Sequence, residues 1–149
     1  GRAVFPEAPP RDPRNRSGVH GIAKKGVGYQ ALVTVRSIRL GTRCTPDLPT
    51  AIDQLVVLMA FKQRVLHSVA AGMPFEQSFV ESVDIVLGEQ GVTSDGIGLW
   101  FSVEFSTGGF SISKIETPTV RDAGLVVRVW RHLEPHRWKK GRTVTHAID

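Results

Sequence analysis

Residues 17–42 read SGVHGIAKKGVGYQALVTVRSIRLGT, and residues 48–66 follow as the apolar run LPTAIDQLVVLMAFKQRVL. From Ala31 to Val35 small or polar residues alternate with Leu32 and β-branched side chains, and Gly26 and Gly28 stand just before that run as turn formers. The pattern predicts a hairpin over about His20 to Ser37. A second turn near Ser37 then leads into Ile38 to Thr42, so a three-stranded antiparallel sheet is the economical arrangement for so short a segment. A helix is expected to start at Pro49, with Asp47 or Thr50 as its cap. Ala51, Leu55, Leu58, Met59, Lys62 and Leu66 recur at helical spacing, with Val56 and Phe61 beside them. One helix covers one face of the sheet, and the other face is left open.

The phrase Ser17-x-x-x-Gly21-Ile22-x-Lys24-Lys25-Gly26-x-x-Tyr29-Gln30-Ala31 resembles the first hairpin of the APETALA-two or ethylene-response-factor type of domain. Leu40-Gly41-Thr42 resembles that family's third strand, and Thr50-Ala51-Ile52-Asp53 falls where its helix begins. The resemblance covers roughly fifty residues. It implies a sheet laid against nucleic acid, with Lys24, Lys25, Tyr29, Arg36, Arg39 and Arg43 as contacts. Two departures stand out: His20 and Ala23 occupy places where DNA-binding members carry arginines or aromatics, and Pro46 to Pro49 lengthen the link into the helix. Relatives of this domain are also reused in alveolate organellar ribosomes.

A second copy of the pattern is expected downstream. Val83 to Glu89 is β-like, Gly91 to Gly96 is turn-rich, Gly98 to Phe105 alternates, and Phe110 to Ile115 alternates again. Thr117-Pro118 echoes Thr45-Pro46, and Leu125-Val126-Val127 echoes Leu55-Val56-Val57. The expected fold is α+β, with two small units, each a three-stranded antiparallel sheet packed by one helix. The organisation is an extended basic arm at 1–16, a first unit at 17–72, a second, degenerate unit at 73–133 with helical residues between Pro74 and Ser82, and a basic tail at 134–149.

Formal charge divides unevenly: +2 over residues 1–16, +5 over 17–68, −4 over 69–133 and +2 over 134–149. This puts a nucleic-acid footprint on the first unit and both tails. The second unit, with Ser102, Glu104, Ser106, Ser111 and Ser113 along its strands, suits protein packing better than phosphate. Residues 1–16 hold four prolines and four arginines and almost nothing to bury, a composition that gains order only on a partner. Extended basic arms threaded between RNA helices resemble those of ribosomal proteins, so Arg11, Arg14 and Arg16 are candidate RNA contacts. In the other tail Trp138 is interleaved with Arg137, Lys139, Lys140 and Arg142, an indole for stacking among charges for phosphate.

Catalytic chemistry finds little purchase. The sole asparagine, Asn15, lies in the arm, so the His-Asn-His metal site of homing endonucleases is not available. Cys44 reads as a small buried hydrophobe at a strand end. His132 and His136 have the spacing of a helical metal pair, but Pro135 between them ends the helix. Asp84 with Glu89, and Glu76 with Glu81, read as solvated faces. Gly26-x-Gly28 and Gly108-Gly109 read as hairpin turns rather than phosphate-binding loops. No cofactor, metal or small-molecule substrate is expected, and no run approaches the roughly eighteen apolar residues of a membrane helix. One cysteine favours a reducing compartment and is equally compatible with a mitochondrial matrix.

Three functions remain open. The chain is expected to be a structural, rRNA-binding component of a mitochondrial ribosome with ribosomal proteins as neighbours, a nuclear DNA-binding regulator, or an accessory subunit of a protein-only organellar complex.

Overall fold

Strand alternation sends Ile22, Ala31, Val35, Ile38 and Leu40 to one side of three short strands, and all five are buried. The computed structural model describes residues 20–107 and 113–136. Its strands are β1 (Ile22–Lys25), β2 (Gly28–Val35) and β3 (Ile38–Gly41), joined antiparallel as the sequence predicts. Helix α1 (Leu48–Ala70) follows, and Asp47 caps it by accepting the Thr50 amide at 3.2 Å. The cap satisfies one of the amides that a helix start leaves unpaired.

Downstream come α2 (Phe75–Gln90), the single-turn α3 (Ser94–Ile97), β4 (Trp100–Thr107), β5 (Ser113–Glu116), α4 (Ala123–Leu133) and a 3₁₀ turn over Glu134–His136. The five strands form one antiparallel sheet in the order β1-β2-β3-β4-β5. This corrects two expectations. The chain does not build two separate three-stranded sheets, because β3 pairs with β4 through Arg39 opposite Ser102 and Leu40 opposite Phe101. Nor is Val83 to Glu89 a strand. It is the second half of α2, since Phe75, Phe79, Ser82 and Val86 recur at helical spacing and all four are buried. β-branched residues inside that window lose to the burial of this face.

A repeat is nevertheless built into the backbone. Thr42 donates its amide to Ala31 O (3.2 Å) and accepts the Ala31 amide on Oγ1 (3.3 Å). Thr117 does both with Val103, at 2.9 Å each. An isolated bridge then joins Tyr29 to Thr45, and another joins Phe101 to Val120. Two residues after each bridge stands an aspartate cap, Asp47 or Asp122, opening α1 or α4. Hairpin, threonine clamp, bridge, cap and helix thus recur in order. The true counterpart of Thr117 is Thr42 rather than Thr45, because five residues separate β4 from β5 where two separate β2 from β3. The Leu-Val-Val echo does not survive this alignment, since Leu125 falls opposite Thr50. The second unit supplies two strands of its own, and β3 lies where a third would be.

The helices cover one face of the sheet. Phe79 on α2 is fully buried at the centre, with its ring 5.0 Å from Phe61 of α1 and 5.7 Å from Phe101 of β4. Its position between the first unit's helix and the second unit's strand makes the two units share one core.

Candidate nucleic-acid interface

The face of the sheet turned away from the helices is where the resembled domain would meet nucleic acid. Strand alternation and register place Gln30, Leu32 and Thr34 of β2 there, with Arg39 and Gly41 of β3 and Trp100, Ser102 and Glu104 of β4. Glu116 of β5 lies directly opposite Glu104. Two carboxylates facing each other across neighbouring strands repel. Arg39 sits beside them, with Nη1 donating to Glu104 Oε2 at 2.7 Å and to Glu116 Oε1 at 3.2 Å. The arginine that a groove-reading sheet would offer from its middle is therefore committed to two anions of the second unit.

Next to it Trp100 lies flat on Gly41. A Cβ at position 41 would stand 2.1 Å from Trp100 Cζ2, so only glycine admits the indole. Trp100 Nε1 donates to Thr42 O at 3.3 Å, and Gln30 Nε2 donates to the same carbonyl at 2.9 Å. The ring is thus spread over the sheet and tied to its backbone rather than standing upright to receive a base.

The other expected contacts are distributed as follows. Arg36 and Ser37 form the turn between β2 and β3, with φ of 46° and 73°, values that suit this type of tight hairpin but cost non-glycine residues energy. The turn is clasped from outside: Trp130 Nε1 donates to Arg36 O at 2.7 Å, Glu104 N donates to Ser37 O at 2.8 Å, and the Arg36 guanidinium rests 5.1 Å from the centre of the Phe75 ring. Arg43 Nη2 donates to Asp95 O at 2.7 Å, tying the end of the first hairpin to α3. Tyr29 packs half-buried on the helix side, against the core, not on the open face. Lys24 and Lys25 are exposed at the β1–β2 hairpin, whose tip carries Val27 at 91% exposure. The candidates Arg11, Arg14, Arg16, Arg137, Trp138, Lys139, Lys140 and Arg142 lie outside the described residues, as do Asn15 and the Gly108-Gly109 turn.

Sequence reasoning missed the clasp of Phe75 and Trp130 on the β2–β3 turn. Its only trace in the sequence is a positive-φ turn made of Arg-Ser, which needs outside support. Three smaller expectations also change. Cys44 is exposed rather than buried. Glu76 is not simply solvated, since it receives both nitrogens of the Arg131 fork across the groove between α2 and α4. Glu89 binds Arg64 of α1 at 2.8 Å.

Ion pairs therefore run between the units: Arg39 to Glu104 and Glu116, and Arg64 to Glu89. Over the described residues eleven Lys and Arg stand against eleven Asp and Glu, a formal net charge of zero. The chain's +5 resides entirely in residues 1–19, at +2, and 137–149, at +3. Among the described residues no cluster of three His, Cys, Asp or Glu side chains could hold a metal, and no helix is long and apolar enough to cross a membrane. No family model, curated protein or solved structure matches the chain.

Proposed function

We propose that this chain is a non-catalytic, RNA-binding structural component of a large ribonucleoprotein of the organellar-ribosome kind. Its body is a fused tandem of two hairpin–helix units of the APETALA-two type, the second one reduced. The observation that carries the reading is the placement of charge. A regulator that reads DNA through its sheet needs unpaired cations on the open face. Here Arg39 is held by two glutamates and the body is formally neutral. The net positive charge lies in the two terminal segments, rich in proline and arginine at one end and with a tryptophan among cations at the other. Phosphate attraction then comes from the ends and from the Lys24-Lys25 hairpin, while the neutral body serves as a protein-packing block. In this division of labour RNA is gripped by its backbone and by stacking, without sequence reading.

Co-sedimentation of the full-length chain with native ribosomal particles tests the proposal. The unaltered chain is expected to travel with rRNA. A variant with Arg11, Arg14, Arg16, Arg137, Lys139, Lys140 and Arg142 changed to Gln is expected to keep its thermal unfolding profile and lose incorporation. Full incorporation of that variant, or preferential recovery of duplex DNA with the native protein, contradicts the reading.

A further inference from the structure

Between α2 and α4 lies an open groove of about 570 Å³, lined by Phe75, Val80, Val127 and Trp130 and bridged at its rim by Glu76 and Arg131. Its aromatic floor is held in place from the sheet. The Phe75 and Trp130 rings lie 4.7 Å apart, the Trp130 indole N–H is engaged by Arg36 O at 2.7 Å, and the Arg36 guanidinium rests on the Phe75 ring. Trp130 is nevertheless only half-buried, and Val80 is 37% exposed. A preset aromatic groove of this kind suits proline-rich segments in the polyproline II conformation, which dock on such surfaces with little conformational entropy left to lose.

The chain carries one such segment. Residues 6–13 read PEAPPRDP, with Pro6 three residues before Pro9 and Pro10 three residues before Pro13. Polyproline II has three residues per turn, so the two pairs form adjacent edges, and Ala8, Arg11 and Arg14 fall on the third. We propose that this segment docks in cis in the α2–α4 groove, its proline edges against Phe75, Val80 and Trp130 and its third edge turned outward. One Pro-x-x-Pro step is about 9 Å long, and Phe75 to Val80 covers about 8 Å along α2, so the groove seats one step.

The chain enters the fold beside this groove. Leu32 donates its amide to Gly21 O at 2.8 Å, and β1 runs antiparallel to β2, so the residues before Gly21 come from the end of the sheet that bears the Arg36–Ser37 turn. That is the turn clasped by Phe75 and Trp130. Gly21 faces Leu32, four residues before Arg36, which puts it about 14 Å from the turn. The eight residue steps back to Pro13 reach about 26–29 Å when extended, enough to arrive with slack. Helix α2 also opens at this rim on Pro74 with no side-chain cap, so its first-turn amides lack the partner a cap would give, and polyproline II carbonyls point outward and are free to accept them. Docked in this way, the arm holds Arg11 and Arg14 about 9 Å apart on its outer edge, ready for phosphate under the RNA-binding reading. The docking itself does not rest on that reading.

A nitroxide attached at Ala8→Cys in a full-length Cys44→Ser background tests this by nuclear magnetic resonance without RNA, so that failure leaves the RNA-binding reading standing. The label is expected to broaden the amide signals of Gln77 and Val80 and the indole signal of Trp130 far more than the amides of Lys24 and Val27, which lie at the opposite end of the β1–β2 hairpin. Pro6→Ser with Pro9→Ser, Pro10→Ser and Pro13→Ser is expected to abolish that difference. So is Val80→Glu, with an unchanged circular dichroism spectrum because the site is exposed. A spin-labelled chain mixed with an isotope-enriched chain that lacks the label is expected to leave the enriched signals sharp, since the occupant is the chain's own arm. Even broadening over the whole body, broadening that survives either change, or broadening that arises in the mixed sample overturns the proposal.

Discussion

The two hairpin–helix units have the same backbone plan and opposite charge. The first carries seven cations and two anions over residues 17–68, and the second four cations and eight anions over 69–133. Seen as a linear sequence, this difference marks the first unit as a nucleic-acid binder. In the folded chain it has another meaning, because the units sit side by side in one sheet and their excess charges meet. Arg39 reaches across β3 and β4 to Glu104 and Glu116, and Arg64 reaches from α1 to Glu89 on α2. A run of like charge becomes a footprint for an external partner only if the fold does not supply an internal one.

The largest expected effect breaks the shared core. Phe79→Ala removes a fully buried ring that touches Phe61, Phe75 and Phe101, and a destabilisation of about 3–5 kcal/mol is expected in chemical denaturation. The unfolding should remain one transition reported alike by Trp100 and Trp130 fluorescence and by far-ultraviolet circular dichroism. Separate transitions for the two units would show that they are independent domains after all.

Gly41→Ala comes next. The added methyl cannot coexist with the Trp100 indole, so the ring must leave the sheet, at a cost of about 1–3 kcal/mol. Trp100 fluorescence should shift to the red. An unchanged emission maximum with unchanged stability would mean that the indole does not lie on Gly41.

Arg39→Ala removes the guanidinium that bridges Glu104 and Glu116, which face each other across β4 and β5. Because Arg39 and Glu104 are only partly exposed, a destabilisation of about 1–2 kcal/mol is expected. Adding Glu116→Gln should restore part of it, and additivity of the two changes would argue against the coupling.

The smallest effect sharpens the picture of the turn between β2 and β3. Ser37→Gly relieves a φ of 73° and is expected to raise stability by about 0.5–1 kcal/mol, read as a higher melting temperature. A decrease would show that the serine side chain is needed in the turn.

Much of the first unit was legible because its signals are local. The alternation from Ala31 to Val35, the turns around Gly26 and Ser37, and Asp47 before Pro49 are each decided within a few residues. Val83 to Glu89 misled for the converse reason. Its β-branched residues suggest a strand only when the window starts after Phe75 and Phe79, which belong to the same buried helical face. The recurrence was visible, but its register was not, because the extra residues between β4 and β5 move the threonine clamp from the Thr45 position to the Thr42 position. The candidate arginines were legible as charges, but their occupants were not. Glu104 and Glu116 lie 65 and 77 residues from Arg39, and only the pairing of β3 with β4 brings them together.

The central claim, that the two units neutralise each other and leave phosphate binding to the ends of the chain and the Lys24-Lys25 hairpin, is tested most directly by the salt dependence of RNA binding. Three full-length proteins are compared by titration at several salt concentrations: the unaltered chain, the seven-fold tail variant, and Arg36→Ala with Arg39→Ala and Arg43→Ala. Every cation withdrawn from a phosphate lowers the slope of log affinity against log salt by about 0.7–0.9. The account predicts a slope reduced by about 5–6 in the tail variant and by less than about 1 in the triple-arginine variant, whose stability falls instead. A slope reduced by about 2–3 in the triple variant, with little change in the tail variant, would contradict it and return the binding surface to the sheet.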